Sequence, residues 1–258
     1  PKCLPPEFIA TRSVLRSFSD VSAMGAKPLW FSVALACNFD EKFIKDFSRG
    51  LKRVSKLLNV PLIGGDLIKK NQKSVTVSVC GEIIKNKYLL RSGAKHKQNI
   101  YLTGELGLAR KGLEEIKKNS NKNIYRKKDV KRFVFPELRL EISNFISRFA
   151  TSCIDISDGF IADLEKILLS SNQGAVIDLD KIPRTEKLSF DDFTFGDDLE
   201  LIFTADKKYH EEIIKLSLDS RTNINLIGQT KRNSEIKYIL NNEEVKFPRK
   251  KGWNHGEK

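Results

Sequence analysis

The chain has 258 residues, of which 40% are hydrophobic, and it carries a formal net charge of +13. This length can bury one large core or two modest ones, and no apolar run approaches the roughly 18 residues that span a bilayer, so we expect no membrane partner. The positive charge is spread along the chain, and its one dense segment, residues 117–132, holds a single aromatic side chain, which predicts a solvated loop and no nucleic-acid partner.

Helical and extended patterns alternate in the first third of the chain. Apolar residues recur at helical spacing over 8–21 and again over 43–58. Between these two helices, the continuous apolar run 29–37 predicts a buried strand. Short strands follow at 60–63 and 75–84, the second with alternating valines. These elements predict a mixed sheet with helices packed on it.

A polar, glycine-containing segment at 91–98 is the predicted domain boundary. The elements predicted after it are strand 100–103, helix 108–116, the basic loop, helices 137–150 and 160–170, and strands 175–179, 199–203, 224–227 and 236–240. We therefore expect two domains, residues 1–92 and 93–258, in a mixed α+β and α/β fold.

The cysteines and histidines argue against a metal site built from these residue types. Cys3, Cys37, Cys80 and Cys153 show no CxxC spacing and lie within or beside apolar runs, which predicts buried, reduced thiols. The first residues show no signal-peptide pattern, so we expect a cytoplasmic protein. The three histidines, His96, His210 and His255, are too scattered for a zinc site and are predicted to lie at the surface.

The segment Asp155–Gly159 places two carboxylates and a hydroxyl between a predicted strand and a predicted helix. In an extended chain Asp155 and Ser157 share one face, and the isoleucines beside them face the core. Asp158 and Gly159 then form a turn before a helix N-terminus, whose N–H groups attract anions. The pattern suits a divalent cation that carries a phosphate. The alternative is that Ser157 or Asp158 only caps the helix.

Acidic residues beside small ones recur at other predicted strand or helix ends. They are Asp20, Asp66 after Gly64-Gly65, and the pair Asp197-Asp198 after Gly196. Together with Asp155 and Asp158, they predict one shared pocket that binds Mg²⁺ and substrate phosphates. The chain contains no Walker-type phosphate loop, no HRD or DFG motif of the protein kinases, and no nucleophile elbow.

Eight segments, in their order along the chain, resemble the thiamine-monophosphate kinase family, which belongs to the aminoimidazole-ribonucleotide-synthetase-like ATP-binding superfamily. The segments are SDVSAMGAKP (19–28), PLIGGD (61–66), RSGAK (91–95), LTGELG (102–107), FPELRL (135–140), IDISDGFIADL (154–164), FGDDLELIFT (195–204) and KGWNH (251–255). The DISDG motif occurs in looser form across the superfamily, whereas GDDLELIFT and the terminal KGW are more particular to this family.

The resemblance implies the two-domain fold of that superfamily and transfer of the γ-phosphoryl group of ATP to thiamine monophosphate. It also implies Mg²⁺ as cofactor and a homodimer formed through the sheet of the N-terminal domain, which would bind ATP and metal. By motif, Asp20, Asp66, Asp155 and Asp158 would bind Mg²⁺, Gly65, Asp66, Arg91 and Ser157 would contact ATP, and Asp197 and Trp253 would contact the thiamine substrate. From the residues alone, a solvated Arg91 and a packed Trp253 remain alternatives.

The chain departs from the family pattern at its start. The GDD-type metal motif and the Thr-Asp pair that follows it in the family have no counterpart here. We therefore expect that an N-terminal segment is lacking, together with part of the metal and ATP site. Two alternatives stay open: another ATP-using member of the superfamily, such as an aminoimidazole-ribonucleotide or selenophosphate synthetase, or an inactive fragment.

Overall fold

Two β-sheets organise the chain in the computed structural model, which describes residues 4–83, 87–119, 122–183, 189–247 and 252–253. The first sheet has three strands and the second has seven. The first contains the strands between residues 27 and 82, and the second contains those between residues 99 and 245. Residues 91–98, between the two sheets, form neither helix nor strand.

The first sheet belongs to a helix–strand–helix–strand–strand unit. Its elements are α1 (Pro6–Ala23), β1 (Lys27–Cys37), α2 (Glu41–Leu58), β2 (Leu62–Lys69) and β3 (Ser74–Glu82). β1 is the central strand, parallel to β2 and antiparallel to β3. Its alternate residues Phe31, Val33 and Leu35 are buried in one core with apolar residues of both helices, as the period of two in a strand requires.

The second sheet includes two inner strands, β4 (Asn99–Thr103) and β7 (Leu201–Ala205), that are buried on both faces. Its strands are β4 (Asn99–Thr103), β5 (Ala150–Asp155), β6 (Gly174–Asp178), β7 (Leu201–Ala205), β8 (Ile224–Lys231), β9 (Ile236–Leu240) and β10 (Glu243–Val245), in the spatial order β10-β9-β6-β8-β4-β7-β5. The helices of this part are α3 (Leu108–Lys118), α4 (Lys128–Val134), α5 (Leu140–Ile146), α6 (Phe160–Ser170), α7 (Phe190–Thr194) and α8 (His210–Ser220).

β4 shows how the helices cover the two faces. Ile100 and Leu102 lie in the core that contains α6, whereas Tyr101 between them lies in the core that contains residues of α5 and α8. A strand that is covered on both faces needs apolar residues at successive positions, which explains why β4 reads as a continuous apolar run rather than an alternating one.

α1 joins the two parts of the molecule. Its apolar residues pack on the first sheet, while Ala23 near its C-terminal end belongs to the core of the second sheet. The Oγ of Ser19 donates a hydrogen bond of 2.7 Å to Oδ2 of Asp155 at the end of β5. Arg12 donates to the backbone carbonyl of Phe133 in α4. α1 therefore aligns the carboxyl end of β5 with the first sheet.

The structure confirms most of the predicted elements but corrects four of them. β2 extends to Lys69 instead of ending at residue 63, because its pairing with β1 continues past the two glycines, and Asp66 consequently lies inside a strand. The predicted helix 137–150 is only α5, and the predicted basic loop contains α4, whose Val130 and Phe133 are buried. The first half of β1 is not fully buried, since Leu29 is exposed.

Smaller expectations have mixed outcomes within the described residues. Cys37 and Cys153 are buried free thiols, as predicted, while Cys80 is only half-buried. His96 is exposed, but the prediction for His210 was wrong, because it is half-buried and hydrogen-bonded to Tyr101. Cys3 and His255 lie outside the described residues. No helix of the described ranges is long and apolar enough to cross a bilayer.

A buried ionic network centred on Glu200 joins the second sheet to α4 and α5. Arg139 donates to both carboxylate oxygens of Glu200, at 2.7 and 2.6 Å, Arg132 forms an ion pair with it, and Thr103 donates at 2.6 Å. Burial by itself would raise the pKa of Glu200, but the two arginines hold it below the ordinary value. Glu200 is therefore ionised inside the protein, and the two arginines balance its negative charge.

Substitution Glu200→Gln should lower the free energy of unfolding by about 3 to 5 kcal/mol, because it leaves two buried guanidinium groups without their counter-charge. Urea denaturation monitored by circular dichroism measures the change. Glu137→Gln is the matched control, since Glu137 contacts the same two arginines from an exposed position, and its loss should cost less than about 1 kcal/mol. Equal losses for both variants would contradict the role of the buried network.

Candidate active site

The Asp155–Gly159 loop is held by a single carboxylate from the helix that follows it. Oδ2 of Asp163, in the first turn of α6, accepts hydrogen bonds from the backbone N–H groups of Ser157, Asp158 and Gly159 at 3.0, 2.9 and 3.1 Å. Gly159 has φ of 129°, a backbone conformation that L side chains rarely adopt. Neither Ser157 nor Asp158 caps α6, so the capping alternative was wrong.

Asp155 lies at the carboxyl end of β5, as the strand pattern predicts, and its side chain is buried. Burial and then the negative charge of Asp20 raise its pKa from the ordinary value of 3.8 to about 7, although the Ser19 hydroxyl opposes the shift. Burial also raises the pKa of Asp20, against the attraction of Arg91 and Arg16. The two carboxylates are thus close enough to repel each other, which a bound cation would relieve.

Asp158 already has a cationic neighbour. Nζ of Lys166 lies 2.6 Å from Oδ2 of Asp158 and 2.8 Å from Oδ1 of Asp163. One lysine therefore balances part of the negative charge on this loop and on the residue that holds it.

A cavity of about 410 Å³ opens beside these carboxylates. Asp20, Asp155 and Arg91 lie in its wall, which is otherwise largely apolar. The other lining residues are Ala23, Met24, Leu89, Leu90, Ser92, Cys153, Ile154 and Ser170. An apolar cleft with a few convergent charged groups is typical of a small-molecule site.

Two further segments attach to the same loop through their backbones. The N–H of Asp197 donates to the carbonyl of Ser157 at 3.0 Å, and the N–H of Trp253 donates to the carbonyl of Asp158 at 2.8 Å. A Cβ at Gly196 would collide with the carbonyl of Ser157, so glycine is required for this close approach. The side chain of Trp253 is 61% exposed, which excludes simple core packing as its role.

The two aspartates of the 196–198 turn have different roles. The carboxylate of Asp197 forms ion pairs with Arg12 at 2.9 Å and Arg16 at 3.3 Å. Asp198 is buried and accepts hydrogen bonds from the N–H groups of Gly107 and Ala109 at the start of α3. Asp198 is therefore a structural cap of α3, whereas Asp197 pairs with the two arginines of α1.

Gly65 and Asp66 do not join this cluster. Both lie within β2, where Asp66 is opposite Ala34 of β1 and exposed to solvent. That position is roughly 20 Å along the strand from Lys27, the end of β1 that is closest to Asp20. The structure thus brings together Asp20, Arg91, Asp155, Ser157, Asp158, Asp197 and Trp253, and leaves Gly65 and Asp66 at a distance.

Sequence reasoning missed the residues that support the predicted ones. They are Arg12, Arg16, Ser19, Asp163 and Lys166. A signal existed for Ser19, which precedes Asp20 in its motif, and for Asp163, which lies in the first turn of a helix after an acidic loop. The arginines of α1 carry no such signal, because their partner Asp197 is distant in sequence.

The donor set fits Mg²⁺ in its chemistry. Asp20, Asp155 and Asp158 offer hard carboxylate oxygens, and a bound cation would reduce the repulsion between Asp155 and Asp20. In the described part of the chain, no three His, Cys, Asp or Glu residues form a ready-made metal site. This arrangement suits Mg²⁺ that is bound through one or two carboxylates together with waters and substrate phosphates.

Comparison with known proteins identifies the family. Residues 1–83 match the family described as AIR synthase related protein, N-terminal domain. Thiamine-monophosphate kinase from Buchnera aphidicola subsp. Acyrthosiphon pisum is 34% identical over 268 residues, a match that covers 98% of this chain and 82% of the relative. The chain belongs to the thiamine-monophosphate kinase family.

Solved structures of the thiamine-monophosphate kinase family share the fold. The enzyme from Stenotrophomonas maltophilia K279a superposes with a TM-score of 0.84 at 26% identity, covering 92% of this chain and 80% of that one. The structure described as AaThiL complexed with AMPPCP and TMP gives a TM-score of 0.83 at 22% identity, covering 98% and 81%. The likeness confirms the fold class that the motifs of this family predict.

The raised pKa of Asp155 predicts how stability depends on pH in the absence of metal. Between pH 3.8 and about 7, the folded protein holds a proton on Asp155 that the unfolded chain has released, so stability should fall as the pH rises through this window. Asp155→Asn should melt several degrees higher than wild type at pH 8 in EDTA, and it should gain less than wild type from added Mg²⁺.

Thermal denaturation with and without Mg²⁺ at pH 5 and pH 8 measures both effects. Asp219→Asn, an exposed substitution in α8, is the control and should follow wild type throughout. Two observations together would contradict the assignment. Wild type in EDTA would be more stable at pH 8 than at pH 5, and Asp155→Asn would not show the same difference.

Proposed function

We propose that this protein transfers the γ-phosphoryl group of ATP to thiamine monophosphate, giving thiamine diphosphate and ADP in a Mg²⁺-dependent reaction. Membership of the thiamine-monophosphate kinase family supports this activity. The structurally similar AaThiL was solved in complex with AMPPCP and TMP. The observation that carries the proposal is that one loop, Asp155–Gly159, contacts both the acidic cluster and the segments of Asp197 and Trp253.

Phosphoryl transfer needs positioning and charge neutralisation more than covalent catalysis, and the site contains groups for both. Asp20, Asp155 and Asp158 would hold Mg²⁺, which when bound supplies positive charge to the phosphate oxygens. Arg91, in the cavity wall, offers a planar fork of N–H donors to the nucleotide phosphates. Ser157 lies in the same loop as two of the carboxylates and would contact ATP.

The other side of the loop would receive the thiamine moiety. Trp253 presents an exposed indole next to Asp158, and a positively charged heteroaromatic ring can stack on such a surface. Asp197 adds a carboxylate close by, held by its backbone bond to Ser157. In this arrangement, the acceptor phosphate would point from the Trp253 side towards the acidic cluster.

We also propose a homodimer formed through the first sheet. β2 is an edge strand in the described sheet, and all of its residues are exposed. Four of these residues are large and apolar: Leu62, Ile63, Leu67 and Ile68. A long, apolar, open edge is a ready template for association with another chain, and a second copy of this sheet would cover it.

Asp66 and Gly65 belong to this same exposed strand. Since Asp66 is roughly 20 Å from the end of β1 nearest to Asp20, we propose that these two residues serve the nucleotide site of the partner subunit. The dimer would thereby complete each acidic cluster with a carboxylate from the other copy.

Two further assignments stay proposals. Residues 1–92 and 93–258 would form the two domains, in keeping with the separate sheets. The cytoplasm would be the compartment, which suits the free thiols of Cys37, Cys80 and Cys153.

Turnover tests the proposed function. The protein with ATP, Mg²⁺ and thiamine monophosphate should form thiamine diphosphate and ADP in equal amounts, as measured by chromatography. Asp155→Asn should lower kcat by at least about 100-fold, because a neutral amide is a poor Mg²⁺ ligand, whereas the exposed control Asp219→Asn should keep full activity. Phosphoryl transfer to a different acceptor, with none to thiamine monophosphate, would refute the proposal.

Mixing two inactive variants tests the shared site. Asp66→Asn and Asp155→Asn should each be inactive alone, but subunit exchange between them should restore about a quarter of wild-type activity. Half of all dimers in the mixture then contain one subunit of each variant, and each of these dimers has one intact site out of two. If Asp66 serves its own subunit, the mixture stays inactive, and if sedimentation shows a monomer, the dimer proposal fails.

A further inference from the structure

Two arginines from successive turns of α1 meet at Asp197, and they differ in what else they can bind. Arg12 lies 2.9 Å from one carboxylate oxygen of Asp197, and Arg16 lies 3.3 Å from the other. One carboxylate faced by two guanidinium groups leaves a net positive charge at this point.

Arg12 is fully engaged within the protein. Its side chain is buried, donates to the carbonyl of Phe133, and lies over the Phe133 ring at 3.7 Å. Burial lowers its pKa, and the ion pair with Asp197 opposes that effect. Arg12 therefore fixes the position of Asp197 and joins α1 to α4, and its guanidinium is engaged within the protein.

Arg16 is accessible. Its side chain is 48% exposed, and it approaches Asp197 through Nε, which leaves two amino groups of the guanidinium to donate elsewhere. Within the described ranges, Asp197 is the carboxylate with which Arg16 forms an ion pair. An arginine anchored at one edge and open at the other is well prepared to bind an anion bidentately.

The position of Arg16 is between the two halves of the candidate site. Arg16 and Asp20 are four residues apart on α1 and thus share one face of the helix. Its charge is felt at Asp20, where it favours the ionised carboxylate. On its other side it contacts Asp197, whose backbone is bonded to Ser157. Arg16 thus lies on the path from the thiamine end of the site to the acidic cluster.

The proposed reaction needs a positive charge at this place. Transfer from one phosphate to another brings two anions together, and the carboxylates with their metal serve the donor side. We infer that Arg16 binds the phosphate group of the acceptor and positions it for attack. This inference rests on the proposed function and adds a residue that selects the phosphorylated form of the substrate over the unphosphorylated alcohol.

A comparison of two ligands that differ only by the phosphate tests the inference. Isothermal titration calorimetry would measure the binding of thiamine monophosphate and of thiamine to wild type, Arg16→Gln and Arg16→Lys. Arg16→Gln should weaken the binding of thiamine monophosphate by about 10- to 100-fold and leave thiamine unchanged, because only the phosphate contact is lost. Arg16→Lys should retain part of the affinity, since the charge remains but the fork does not.

Arg49→Gln is the matched control. Arg49 is an exposed arginine on α2 that forms an ion pair of 2.8 Å with Asp46, and its replacement should change neither affinity. In steady-state assays, Arg16→Gln should raise KM for thiamine monophosphate with KM for ATP unchanged. A circular dichroism spectrum like that of wild type confirms that the variant is folded.

Three results would overturn the inference. Unchanged affinity of Arg16→Gln for thiamine monophosphate would show that the arginine does not touch the phosphate. An equal loss for thiamine and thiamine monophosphate would show that it acts through Asp197. A rise in KM for ATP alone would place it on the nucleotide. Wild-type protein that binds no thiamine monophosphate would instead refute the proposed function, and with it this role of Arg16.

Discussion

The candidate site depends on the carboxylate of Asp163, which accepts hydrogen bonds from three backbone N–H groups of the Asp155–Gly159 loop. A loop that follows a buried strand has free N–H groups, which are costly to leave unpaired. Asp163 satisfies them from within the next helix, so the loop keeps one conformation. The carbonyls of Ser157 and Asp158 are then fixed, and they in turn hold the backbones of Asp197 and Trp253. One carboxylate thus positions both halves of the site.

A second constraint is the concentration of negative charge. Asp155 and Asp20 repel each other in a partly buried setting, whereas Glu200 is fully compensated by two arginines. The two settings differ in whether arginines balance the buried negative charge. A compensated buried carboxylate supports the fold, while the repelling pair at the cavity wall would, under the proposed function, hold a cation together with its substrate.

α1 connects the two sheets through its side-chain contacts. Ser19 reaches Asp155, Arg12 reaches α4, and Arg16 faces the gap between Asp20 and Asp197. Each of these contacts joins residues more than one hundred positions apart in sequence. The charged and hydrogen-bonding side chains of α1 therefore contact the part of the molecule that contains the second sheet. Its apolar face packs in the core of the first sheet.

Local sequence patterns determined the helices of strong periodicity, the buried strands and the acidic loop, because each depends on residues within one turn or one pleat. The motifs also determined the family and the fold class. Only the tertiary structure decided that Asp66 lies inside an exposed edge strand, that the basic segment contains α4, and that Asp198 caps α3 while Asp197 pairs with the arginines of α1. These outcomes rest on strand pairing, burial and charge pairing between distant residues, which no local pattern records.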